Sequence, residues 1–169
     1  MKNNFALTYL LLLVVQLLLC NYFHFTPWLF LTLLPAMVLC IPTRIGTVGT
    51  LFIAFATGLA VDFLAEGLLG LNALSLVPVA FFRKPVIELV FGSEPFEHRE
   101  SISMRKYGLL RVSVALIIML TLFLAIYILA DGAGTRPFWF NFIKLCASVL
   151  ASWLLSLVVV NLLTADDRR

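Results

Sequence analysis

The chain has 169 residues, of which 62% are hydrophobic and 12% charged, with a formal net charge of +3 and a mean hydropathy of +1.06. Soluble domains are about 45–50% apolar and about 25% charged, because a folded surface needs polar cover. At this length folding hides only about 70% of a chain's surface, so a soluble form would carry a continuous apolar shell that monomers do not tolerate. A soluble domain is excluded, and so small a net charge argues against a nucleic-acid partner.

Lipid is the solvent that fits. Every backbone polar group must then be satisfied internally, by helices or by a closed barrel. Barrel strands alternate polar and apolar residues over about ten positions, whereas the apolar runs here are continuous and longer. The expected fold is all-α: one integral membrane domain over 1–169, a polytopic bundle of six helices.

The first helix spans about 5–21. Lys2 and the run after it have the look of a secretory signal, and Leu17-Leu18-Leu19-Cys20 faintly resembles a lipoprotein cleavage box. Cleavage wants small residues before the cut, and Leu18 and Leu19 are bulky, so the segment is read as a retained span. Asn21 to Pro27, with three aromatic residues, reads as a short interfacial loop. The second helix follows over about 27–41, ended by Pro42-Thr43-Arg44. Helices over about 46–64, 69–83, 109–130 and 138–163 complete the six. Pro78 predicts a kink in the fourth. Residues 84–108 form a cytoplasmic loop opening on a short interfacial stretch, Pro85–Phe91, and Glu94, Glu97, His98, Arg99 and Glu100 within it form a solvated or partner-facing surface.

Charges decide orientation. Lys2, Arg44, Arg83, Lys84, Arg99, Arg105, Lys106, Arg111, Arg168 and Arg169 lie at one set of helix ends, so ten of the twelve basic residues share a side. The positive-inside rule makes that side cytoplasmic, with both termini there. Asp62, Glu66, Asp131, Arg136 and Lys144 fall toward the other side.

The third helix carries the most informative pattern. Gly46, Thr50, Ala54, Gly58 and Asp62 recur every four residues, a stripe of small side chains ending in a carboxylate. Small residues let helices approach closely in lipid, but that does not explain Asp62. A charge within the membrane is costly and calls for a partner, unless the carboxylate simply reaches the outer headgroups. In the sixth helix Lys144, Ser148, Ser152 and Ser156 recur with the same period, so Lys144 is a candidate charge partner for Asp62, the competing reading being that it snorkels outward. Gly67 to Asn72, with two glycines and an asparagine, predicts a tight outer turn.

Nothing in the chain forms a catalytic constellation. There is no GxSxG, HExxH or phosphate loop, and His24 and His98 fall on opposite sides of the membrane. Asp62 and Glu66 share a helix face but have no evident pocket. Cys20, Cys40 and Cys146 are far apart and lack metal-site spacing. No enzyme, cofactor or metal is expected.

The stretch Gly58-Leu59-Ala60-Val61-Asp62-Phe63, followed by Leu69-Gly70-Leu71-Asn72-Ala73-Leu74, has the pattern G-L-x-x-D then L-G-x-x-A-L. It resembles the rod-shape-determining MreD family, and chain length, six apolar segments and the motif's place in the third and fourth of them agree. The likeness is specific over about residues 54–78 and elsewhere rests on hydropathy. Membership would imply a non-enzymatic scaffold of the bacterial cell-elongation machinery in the inner membrane. Its partners would be MreC in the periplasm, the actin-like MreB filament and the peptidoglycan synthases. The fold would be similar to the substrate-binding subunits of energy-coupling-factor vitamin transporters. Gly58, Asp62, Gly70 and Asn72 would then frame a partner-docking or structural motif. Two other readings stand beside this one: a small-molecule, vitamin-type binding subunit of a transporter, with Asp62 and the serines lining a pocket, and a channel or ion-coupled carrier, disfavoured because intramembrane charges are few and no inverted repeat is evident.

Overall fold

The computed structural model describes residues 3–22, 29–66, 69–92, 94–97, 102, 104–132 and 137–165. Among these there is no strand. The helices are α1 (Asn3–Tyr22), α2 (Leu34–Leu39), α3 (Thr47–Val61), α4 (Leu71–Phe91), α5 (Glu94–Glu97), α6 (Met104–Tyr107), α7 (Leu109–Gly132) and α8 (Phe138–Ala165), and α3 widens into a π-helical turn over Asp62–Glu66. Four stretches are long and apolar enough to cross a membrane: Phe5–Tyr22, Thr47–Ala65, Leu109–Gly132 and Phe138–Leu162. Helix α4 matches them in length with 21 residues but carries Arg83, Lys84 and Glu88 in its second half.

Apolar side chains cover the outside as well as the inside. Leu7, Leu10 and Leu11 of α1, Phe52 and Phe55 of α3, Phe81 and Leu89 of α4, and Leu150 and Leu154 of α8 are exposed, as a lipid-facing surface requires. The core is built around α2, a six-residue helix wholly buried from Leu34 to Leu39 and touched by α1, α3, α4, α7 and α8. Helix α7 turns Val112, Leu116, Met119, Phe123 and Tyr127 inward at three- and four-residue spacing, and the Phe30 ring stacks on Tyr127 at 4.2 Å between centroids.

The structure corrects the expected second helix over 27–41. Residues 29–33 are not helical, α2 covers only Leu34–Leu39, and 27–28 lie outside the described residues. Hydropathy cannot separate helix from extended chain in a short apolar run; here hydrogen bonds from distant side chains replace the helical ladder. Phe30 N–H donates to Ser148 Oγ at 2.9 Å, Thr32 N–H to Ser152 Oγ at 3.1 Å and Leu33 N–H to Gln16 Oε1 at 2.7 Å. Ser152 Oγ in turn lies 3.4 Å from the Phe30 carbonyl. Serines four apart on α8 thus meet N–H groups two apart in this non-helical segment. Ser156, one period further, is buried with no hydrogen-bond partner, because by Leu34 the chain has turned helical.

A second correction concerns residues 84–108. The stretch Pro85–Phe91 is not separated from the fourth helix but is the last part of α4, which runs through both Pro78 and Pro85 to Phe91. Each proline removes one ladder bond, a loss that bundled membrane helices tolerate. Two short helices, α5 and α6, follow. Of the surface proposed there, His98, Arg99 and Glu100 lie outside the described residues, as does the side chain of Glu97.

Candidate functional site

The four motif residues meet at the contact of α3 with α4. Helix α4 begins after Gly70, whose φ of +101° is left-handed, a conformation that glycine adopts without steric cost. Gly70 has no side chain to cap the helix, so the first N–H groups of α4 need an acceptor from elsewhere. Asp62 supplies it from the end of α3. Its Oδ1 accepts from the Asn72 N–H at 2.8 Å and from Asn72 Nδ2 at 3.0 Å. Its Oδ2 accepts from the N–H groups of Gly70 at 3.0 Å and Ala73 at 3.2 Å. The carboxylate is fully buried and faces the positive end of the α4 dipole, the setting in which a buried anion is least costly.

Gly58 makes this approach possible. A Cβ there would stand 2.5 Å from Ala73 Cα and 2.7 Å from Ala73 N, both backbone atoms that cannot swing aside. Tyr9 of α1 joins from the other flank: Thr57 Oγ1 donates to the Ile53 carbonyl at 2.7 Å, which leaves it to accept from the Tyr9 hydroxyl at 3.0 Å. Gly58, Asp62, Gly70 and Asn72 thus form one knot, and its polar atoms face one another. Asn72 Oδ1 is the exception, buried without a hydrogen-bond partner.

Lys144 is elsewhere. The expected pairing of Asp62 with Lys144 is corrected: Lys144 Nζ lies 3.4 Å from Asp131 Oδ2 of α7, and the hydrogen bonds of Asp62 all go to the start of α4. A helix N-terminus answers the carboxylate in place of a cation. Nor does the Asp62 side chain lie on the protein surface. Arg136, Gly67 and the side chain of Glu66 lie outside the described residues.

Sequence reasoning passed over two side chains. Gln16 is an amide among leucines and valines, and that isolation was its only signal; it holds Leu33 N–H and donates to Cys20 Sγ at 3.2 Å. Arg83 counted only toward orientation, yet it is buried and donates through Nη2 to the Leu39 carbonyl at 3.3 Å and to the Ile41 carbonyl. These carbonyls close the C-terminal end of α2, where a cation is favoured.

Among the described residues no group of three or more histidine, cysteine, aspartate or glutamate side chains could hold a metal ion. None of the three cysteines forms a disulfide with another; Cys20 and Cys40 are buried and Cys146 is exposed. Comparison of the chain with family models, with curated proteins and with solved structures finds no match.

Proposed function

We propose that this chain is a non-enzymatic scaffold subunit of the bacterial cell-elongation complex, resembling MreD. It would sit in the inner membrane with both termini in the cytoplasm. An MreC-like periplasmic protein and the peptidoglycan-synthesis machinery would be its partners. The observation that carries the reading is the knot of Gly58, Asp62, Gly70 and Asn72. The residues of the family-like pattern are spent on joining α3 to α4 rather than offered to a substrate, and a rigid helix pair is what a docking scaffold needs.

Six crossings remain part of this proposal. Helix α4 would make the fourth crossing, with its charged second half, Arg83, Lys84 and Glu88, toward the cytoplasm. The return from α1 to α3 would run through the non-helical residues 29–33 and then α2, irregular backbone being tolerated at membrane depth where protein surrounds it. The likeness to the transporter substrate-binding subunits belongs to the proposal in the same way. The vitamin-binding alternative has less to support it, because Ser148 and Ser152 face backbone amides and Asp62 is filled by α4.

Depletion in a rod-shaped host tests the reading. Cells should round up and mislocalise wall synthesis, with vitamin uptake unchanged. Normal rods after full depletion would refute it.

A further inference from the structure

Some 11 residues along α4 from Asn72, or roughly 16 Å, lies a cavity of about 150 Å³ lined by Thr43, Gly46, Thr47, Arg83, Lys84 and Phe96 among others. Its chemistry is cationic on three counts. Helix α3, 15 residues long, starts here, and Gly46 at its N-cap supplies no capping side chain, so first-turn N–H groups lack acceptors. Nothing stands within 4 Å of where a Gly46 Cβ would lie, so the space before the helix is open.

The second count is independent. Arg83 lines the cavity at 4% exposure. Its hydrogen bonds go to neutral carbonyls through one nitrogen, Nη2, and Nε is buried with no partner. Among the described residues no carboxylate pairs with this guanidinium, and a buried charge left uncompensated is costly. Third, Lys84 lies at the rim, shared with Glu88 at 3.7 Å and with the Phe96 ring at 5.8 Å from its centroid. Among the described residues none that lines the cavity is acidic. Thr43 and Thr50 direct their hydroxyls to the Pro95 and Gly46 carbonyls at 2.9 and 3.2 Å.

We propose that this cavity binds one phosphate-type oxyanion, as the headgroup phosphate of an anionic phospholipid or as free phosphate. Arg83 supplies the compensating charge, the start of α3 supplies N–H donors, and Lys84 closes the rim. The site is separate from the Asp62 knot and does not depend on the scaffold reading.

The test uses the full chain. Phosphate is titrated in neutral detergent against potassium chloride of equal ionic strength, following thermal stability. Native mass spectrometry from phosphatidylglycerol nanodiscs counts retained lipid. Arg83→Met also strips α2 of its cap, so two milder variants carry the argument. Gly46→Asp puts a carboxylate at an extended N-cap position that accepts it; it should keep or raise the melting temperature while weakening ligand binding about tenfold or more. Lys84→Met should weaken binding less. A phosphate-specific rise in melting temperature that Gly46→Asp abolishes supports the site with free phosphate as its source. One retained phosphatidylglycerol, lost in Gly46→Asp, supports it with lipid as the source. Binding of neither by the unaltered protein, or binding unchanged in both variants, overturns it.

Discussion

A buried carboxylate usually announces a cation, and here it does not. Asp62 collects four hydrogen bonds from the first turn of α4, so its charge is answered by peptide dipoles held by Gly70 and Asn72. Asp62→Asn keeps the shape but turns an amide toward N–H donors, and should cost about 1–3 kcal/mol as buried groups lose acceptors. Lys144 belongs to a different pair. A double-mutant cycle on thermal stability should therefore find Asp62→Asn and Lys144→Met additive. The cycle of Lys144→Met with Asp131→Asn should show a coupling of about 0.5–2 kcal/mol, the pair being partly buried. Coupling in the first cycle and none in the second would contradict the geometry.

Among the elements, the most unusual is the non-helical segment 29–33, held by α8 and α1. Its N–H groups would cost several kcal/mol each if unmet away from water, and Ser148, Ser152 and Gln16 meet them. Ser148→Ala and Ser152→Ala should each destabilise the protein in detergent by about 1–3 kcal/mol. Ser156→Ala, which removes a hydroxyl that has no partner, should be close to neutral. Equal losses at all three positions would mean that the stripe packs for its size alone. The long helices were legible because hydropathy runs reveal them, whereas the small-residue period ending at Asp62 marked a close helix contact but pointed to Lys144 of α8 rather than to the start of α4. The non-helical segment was not legible. Its apolar residues read alike in either conformation, and its partners on α8 are 118 and 120 positions away. The burial of Arg83 was hidden for a similar reason, since only the folded position of α2 turns a charge near a helix end into a cap.

For the molecule as a whole, the polar residues read as internal ties: Asp62 joins α3 to α4, Arg83 joins α4 to α2, Gln16 and the serines join α1 and α8 to the non-helical segment 29–33, and Lys144 joins α8 to α7. Lipid contributes no hydrophobic drive between helices, so such ties and close packing must hold the bundle. The proposed orientation rests on the basic residues. Reporters fused after Gly92 or after Arg169 should read as cytoplasmic and those after Leu69 as external; a cytoplasmic reading at Leu69 would undo the six-crossing arrangement. The function turns on what the bundle holds. Isolation of the tagged chain from native membranes in mild detergent, with identification of everything that accompanies it, tests the scaffold claim most directly. The claim predicts an MreC-like periplasmic protein and a peptidoglycan synthase in the isolate, recovered in proportion to the chain. Isolation of the chain without either, together with specific retention of a radiolabelled vitamin, would contradict it.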